Sequence, residues 1–97
     1  MRHLFLVNPA AGKKDRTREY QARIATACKD LNYEILVSRQ PGDLTSWSRQ
    51  AAASGEALRI YACGGDGTLN EVVNGVVGFP NVSVTHFPGG SGNDFIK

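Results

Sequence analysis

The fold of this chain is decided by the stretch Cys63-Gly64-Gly65-Asp66-Gly67-Thr68-Leu69-Asn70-Glu71-Val72-Val73-Asn74-Gly75. The residues before it, 57–62, form a short apolar run typical of a buried strand. After Gly67 the apolar residues recur at helical spacing, at Leu69, Val72, Val73 and Val76. The sequence therefore predicts a glycine-rich turn that joins a strand to a helix.

Such a turn suits a phosphate group. Gly64, Gly65 and Gly67 allow positive φ angles and let backbone N–H groups approach another molecule with no Cβ in the way. The helix that follows directs its free amides and positive dipole end to the same place. Thr68 is a candidate phosphate contact, but Thr68 with Glu71 also matches a capping box, which would make Thr68 a helix N-cap.

Asp66 adds a carboxylate to a turn that should attract anions. It would repel phosphate unless a cation lay between them, so Asp66 indicates Mg²⁺. The spacing excludes two familiar phosphate loops. Asn70 stands where a dinucleotide-binding fingerprint requires glycine, and no Gly-Lys-Ser/Thr of a P-loop follows.

The rest of the chain predicts a series of βα units. Strands are expected at His3–Val7, Tyr33–Ser38 and Val82–Phe87, with helices from about Asp15 to Asn32 and from an N-cap at Asp43. Asp15 or Thr17 could cap the first helix. We predict one three-layer α/β/α domain over residues 1–97, with a mostly parallel sheet in the Rossmann-like order 2-1-3-4. That order brings the loop after Val7 beside the Gly64–Thr68 turn at a switch point, where open sheets bind ligands.

Composition narrows the class of protein. The chain has 97 residues, a net charge of +2 and no run of five like charges, so charge alone indicates neither nucleic acid nor an anionic membrane. Its apolar runs are too short to span a membrane, and Asn8-Pro9 ends the first run too early for a signal peptide. Cys28 and Cys63 are predicted to be buried free thiols, and we expect a cytoplasmic protein.

The run from Gly64 to Gly75 resembles the nucleotide-binding signature of the diacylglycerol kinase catalytic-domain family, which includes bacterial lipid kinases and the sphingosine and ceramide kinases. Residues 7–12 resemble the family's first block, in which the Asn-Pro turn lies against the nucleotide, so Asn8 becomes a candidate contact. Ser38, a few residues before Gly42-Asp43, resembles the Ser or Thr that reaches the nucleotide. Residues 88–97 match the family's Gly-Thr-Gly-Asn-Asp-Phe-Ala-Arg block, with Ser91 for Thr, Ile96 for Ala and Lys97 for Arg.

The resemblance implies a lipid kinase that transfers the γ-phosphoryl group of ATP, with Mg²⁺, to a lipid hydroxyl such as that of diacylglycerol. The expected nucleotide contacts are Asn8, Ser38, Gly64, Gly65, Asp66, Gly67, Thr68, Asn70 and Ser91, and the expected metal ligands are Asp66 and Asp94. The family's acceptor cleft and acidic catalytic base lie in a second, β-rich domain. We therefore expect this chain to be the N-terminal, nucleotide-binding domain of a two-domain kinase and to be inactive alone. For the full-length enzyme we expect transient membrane contact and a possible homodimer.

The sequence is also compatible with two other functions. A kinase of a soluble acceptor, such as an NAD kinase or a phosphofructokinase, shares the Gly-Gly-Asp-Gly core. The additional Asn70-Glu71 and Gly92-Asn93-Asp94 favour the lipid branch. A nucleotide-sensing module without catalysis is the third possibility.

Overall fold

The computed structural model describes residues 1–9 and 16–87. Within them the chain alternates strands and helices, as the sequence predicts. The elements are β1 (Arg2–Val7), α1 (Thr17–Ala27), β2 (Tyr33–Val37), α2 (Asp43–Ala52), β3 (Leu58–Cys63), α3 (Asp66–Val76) and β4 (Val82–His86).

The four strands form one parallel sheet in the order β2-β1-β3-β4, which confirms the predicted topology. In the register, Val7 lies between Val37 and Cys63, so β1, β2 and β3 end at the same level. Two backbone hydrogen bonds continue the ladder past these ends: Ser38 N–H donates to Val7 C=O at 2.9 Å, and Asn8 N–H donates to Cys63 C=O at 3.1 Å. The loops that leave these strands therefore start side by side.

Alternation along the strands separates two cores, one on each face of the sheet. On one face α2 and α3 pack over Leu4, Leu6, Ile60 and Ala62. On the other, Ile24 and Cys28 at the end of α1 join an aromatic cluster in which Phe5 stacks on Tyr61 with ring centroids 4.1 Å apart. The arrangement is the predicted three-layer α/β/α fold.

Helix α1 is shorter than predicted. It ends at Ala27 instead of Asn32, and Leu31, an apolar residue within the predicted helix, is 44% exposed. Residues 28–30 form a turn, in which Leu31 N–H donates to Cys28 C=O. The chain must turn here because Tyr33 already pairs with His3 in the sheet. The N-cap is Arg16, without a side-chain hydrogen bond, so Thr17 does not cap this helix, and Asp15 lies outside the described residues.

Helix α2 begins after a glycine and not after the predicted Asp43 cap. Its N-cap is Gly42, whose φ of 92° lies in the left-handed region that glycine adopts without steric cost. Asp43 is the first helical residue, and its Oδ2 accepts hydrogen bonds from Arg39 N–H (2.8 Å) and Gln40 N–H (3.2 Å). The Asp43 carboxylate thus caps the turn after β2 and fixes the loop that carries Ser38.

Both cysteines are buried and free, as predicted. Burial raises the pKa of the Cys63 thiol to about 12 and also raises the pKa of Cys28. Both thiols are therefore protonated and act as small apolar side chains at neutral pH. Across residues 1–9 and 16–87, the helices are too short and too polar for any of them to cross a membrane.

Candidate functional site

The glycine turn lies where β3 passes into α3, at the carboxyl edge of the sheet. Cys63 ends the strand, and Gly65 is the N-cap of α3 in an extended conformation, with φ −89° and ψ −166°. The expected positive φ angles are not found in this turn, since the glycines with positive φ are Gly42, Gly55 and Gly78. A left-handed backbone therefore does not explain the glycines of this turn.

The three glycines of this turn differ in their surroundings. A Cβ added at Gly64 would overlap the hydroxyl of Thr68, so this glycine allows the helix to fold back tightly on the turn. A Cβ added at Gly65 or Gly67 would meet no atom within 4 Å. These two residues present bare backbone to the outside, at the end of a helix whose first N–H groups have no partner within the helix.

Thr68 is not an N-cap, because α3 begins three residues earlier than the capping-box pattern indicated. Thr68 is the third residue of the helix and only 2% exposed. Its Oγ1 has no hydrogen-bond partner among the described residues. A buried hydroxyl without a partner costs about 1–3 kcal/mol, so its presence directly under the glycine turn requires an explanation.

Glu71 does not complete a capping box either. Its Oε1 accepts a hydrogen bond from Gly42 N–H at 3.1 Å, and its backbone carbonyl accepts one from Thr45 Oγ1 at 2.9 Å. These contacts join α3 to the start of α2. They tie the glycine turn to the loop after β2.

Asn8 and Ser38, which the sequence placed at the ends of β1 and β2, come together in the structure. They line a cavity of about 190 Å³ with Pro9, Arg39, Gln40, Pro41 and Glu71. The side chain of Ser38 is 9% exposed. No sequence pattern indicates that Glu71 belongs to this cavity, because its position depends on the packing of α3 against α2.

Asn70 lies apart from that cavity. With Asp66, Gly67, Leu69 and Val73 it lines a separate, open hollow of about 450 Å³ on the outer side of α3. Asp66 is the exposed first residue of α3. Within residues 1–9 and 16–87 no three His, Cys, Asp or Glu side chains cluster as metal ligands. The predicted partner Asp94 and the predicted contact Ser91 lie outside the described residues.

His86 is a neighbour of the turn that sequence reasoning treated as a structural strand residue. Its Nε2 lies 3.3 Å from the carbonyl oxygen of Gly65. The strand pairing explains this position, since His86 pairs with Ala62, close to the point where β3 enters the turn.

A larger cavity lies at the opposite edge of the sheet. It has a volume of about 590 Å³ and is lined mainly by residues at the amino ends of the strands, including Arg2, His3, Tyr33 and Glu56. Arg2 is already paired there with Glu34, whose Oε1 accepts hydrogen bonds from Arg2 Nη2 at 2.7 Å and from Nε at 3.0 Å. Arg2 is thus already neutralised by Glu34, and Glu56 adds a further negative charge, so this edge suits an anion less well than the carboxyl edge.

Comparison with known proteins assigns the family. The family model for the diacylglycerol kinase catalytic domain matches residues 2–97, almost the whole chain. This chain belongs to that family.

This chain is similar to proteins that are named putative lipid kinases. It is 30% identical over 96 residues to "Putative lipid kinase YtlR" of Bacillus subtilis strain 168, covering 96% of this chain and 31% of that protein. It is 35% identical over 83 residues to "Putative lipid kinase SH2167" of Staphylococcus haemolyticus strain JCSC1435, covering 81% of this chain and 26% of that protein. The chain therefore spans less than a third of the length of these relatives.

A solved structure supports the same fold. The crystal structure of a diacylglycerol kinase from Bacillus anthracis strain Sterne superposes on this catalytic domain with a TM-score of 0.65 and 29% sequence identity. The match covers 92% of this chain and 30% of that one. The parallel sheet order and the family match thus agree.

Proposed function

We propose that this chain is the nucleotide-binding part of an ATP- and Mg²⁺-dependent lipid kinase. The observation that carries the proposal is the buried hydroxyl of Thr68, which lies without a described partner beneath the open backbone of Gly65 and Gly67. A phosphate oxygen at the N-terminus of α3 would supply the missing acceptor. The proposal therefore explains a polar group whose burial is otherwise unfavourable.

The surroundings of Thr68 favour an anion. The amides of Asp66 and Gly67 precede the first hydrogen bonds of α3, which Thr68 N–H and Leu69 N–H donate to the Gly65 carbonyl. The helix dipole places partial positive charge at the same end. Gly65 and Gly67 leave the space above these amides clear. Phosphoryl transfer requires the phosphates to be held and their charge to be neutralised, which such a turn can do.

Asp66 fits a magnesium ion in this arrangement. Mg²⁺ in nucleotide sites is commonly held by one or two carboxylates together with phosphate oxygens and water. The exposed carboxylate of Asp66, at the first position of α3, can provide one such ligand, and Asp94 is the proposed second. Bound Mg²⁺ would neutralise charge on the phosphates during transfer.

The cavity beside the turn can hold the less charged part of the nucleotide. Asn8, Ser38 and Glu71 offer donors and acceptors around a pocket of about 190 Å³. The bond from Gly42 N–H to Glu71 fixes this pocket relative to α3. A molecule that reaches both sites would be held at two points, and this limits the positions open to its phosphates.

A lipid is the proposed acceptor, because the chain belongs to the diacylglycerol kinase catalytic-domain family and its relatives are named lipid kinases. The acceptor site, the catalytic base, contact with a membrane surface and a homodimer are proposed for a longer protein that contains this domain. Labelled ATP offered to that protein with diacylglycerol, sphingosine or NAD separates the acceptors. Transfer to NAD alone would replace the lipid proposal with a kinase of a soluble acceptor, and binding without transfer would indicate a nucleotide sensor.

Thr68→Val tests the nucleotide site itself. Valine keeps the shape of threonine and removes the unpartnered hydroxyl, so the ligand-free variant is expected to gain about 1 kcal/mol in free energy of unfolding. Its affinity for Mg·ADP should fall about tenfold, because a hydrogen bond to a charged phosphate contributes about 1.5–3 kcal/mol. Urea unfolding and isothermal titration calorimetry measure the two quantities.

Thr45→Val is the matched control. Its hydroxyl has a partner, the carbonyl oxygen of Glu71 at 2.9 Å, so its removal should lower the free energy of unfolding by about 1 kcal/mol. Loss of stability in Thr68→Val with unchanged affinity would show that the Thr68 hydroxyl serves the fold and not a ligand.

A further inference from the structure

His86 lies at the end of β4 on the side of the sheet that α2 and α3 cover. Val82 and Val84, four and two residues earlier, pack against the core under these helices. Because side chains alternate along a strand, His86 continues the same face at the carboxyl edge. Its pairing with Ala62 places it next to the exit of β3.

The atom that His86 contacts has a defined part in the turn. The carbonyl oxygen of Gly65 accepts the first hydrogen bonds of α3, from Thr68 N–H at 3.1 Å and from Leu69 N–H at 3.2 Å. His86 Nε2 lies 3.3 Å from the same oxygen. A carbonyl oxygen can only accept, so Nε2 must carry the proton in this contact.

Among the described residues, side chains give the glycine turn little other support. Gly65 is an N-cap without a side-chain hydrogen bond, and a Cβ at Gly65 or Gly67 would touch nothing within 4 Å. The orientation of the Gly65 peptide determines where the neighbouring amides of Asp66 and Gly67 point. A donor that holds the Gly65 carbonyl therefore also holds those amides in place.

We infer that His86 is a positioning residue: its imidazole holds the Gly65 carbonyl and so preorganises the glycine turn for a phosphate group. This inference rests on the proposed function for its ligand, but the contact itself can be tested without one. An oriented turn loses less freedom when a ligand binds, and removal of the donor should therefore weaken binding without affecting the core.

The test compares His86→Leu, which cannot donate, with His86→Gln, whose side-chain amide can. In this chain with Mg·ADP, we expect a five- to tenfold weaker affinity for His86→Leu and an affinity within about twofold of the original for His86→Gln. Thermal unfolding should change little in either variant. His3→Leu is the matched control, because it removes an imidazole at the opposite edge of the sheet and should leave the affinity unchanged.

Amide hydrogen exchange tests the contact between His86 and Gly65 without a nucleotide. His86→Leu should speed exchange of the Thr68 and Leu69 amides about fivefold, while amides in the middle of α3 exchange as before. Unchanged exchange at these two amides would overturn the inference even if the chain binds no nucleotide. Unchanged affinity in a chain that does bind Mg·ADP would also overturn it, whereas failure of the unaltered chain to bind would contradict only the proposed function.

Discussion

Gly75→Ala is expected to lower the free energy of unfolding by about 2 kcal/mol. Gly75 lies where α3 approaches α2 closely, and an added Cβ would overlap the backbone carbonyl of Thr45 and lie 2.8 Å from Ser48 Cβ. Backbone atoms cannot rotate away, so the two helices would have to separate. For a domain of this size the melting temperature should fall by roughly 8–16 °C, which thermal unfolding measures.

Gly67→Ala is the matched control in the same helix. A Cβ at Gly67 meets nothing within 4 Å, and alanine is the better helix former by about 1 kcal/mol in a helix interior, so stability should be unchanged or slightly higher. Affinity for Mg·ADP should nevertheless fall, because the new methyl group stands where the phosphate is proposed to lie. Equal losses of stability at Gly67 and Gly75 would contradict the described contact between the helices.

Asp66→Asn is expected to weaken nucleotide binding about tenfold or more when Mg²⁺ is present. Asparagine keeps the size of the side chain and removes its charge, so a carboxylate that holds the metal would be lost. Without Mg²⁺ the same substitution should leave ADP binding unchanged or make it tighter, because a negative charge near the phosphates has been removed. Calorimetric titrations with ADP, in Mg²⁺ and in EDTA, measure both effects.

Comparing ADP binding in Mg²⁺ and in EDTA distinguishes the loss of a metal ligand at Asp66 from a general loss of structure. Asp43→Asn provides a control, since this carboxylate accepts two backbone hydrogen bonds in the turn after β2 and faces no proposed metal. It should affect binding equally with and without Mg²⁺. An Asp66→Asn loss of the same size in Mg²⁺ and in EDTA would contradict a metal at this residue.

The sheet could be predicted from the sequence because its determinants are local or general. Short apolar runs marked β1 to β4, and right-handed crossovers between parallel strands leave few orders for them. The proximity of the loop at Asn8 to the Gly64–Thr68 turn followed from the same rules, since both loops leave the carboxyl ends of neighbouring strands. These predictions required no knowledge of side-chain packing.

The start of α3 could not be predicted, because two signals compete for it. Thr68 and Glu71 form a capping-box pattern, whereas the helix in fact begins at Asp66 behind a glycine that caps without a side chain. The contact of Glu71 with Gly42 depends on how α3 packs against α2, which no local pattern reveals. The early end of α1 likewise follows from the pairing of Tyr33 with His3, a constraint imposed by the sheet.

The central claim is that the carboxyl edge of the sheet binds the phosphates of a nucleotide, and amide chemical shifts during a titration of the chain with Mg·ADP test it most directly. The account predicts the largest changes at Gly65, Asp66, Gly67 and Thr68, with smaller ones at Asn8 and Ser38. No change at these amides, or changes concentrated around Arg2, Tyr33 and Glu56 in the larger cavity at the opposite edge, would contradict it.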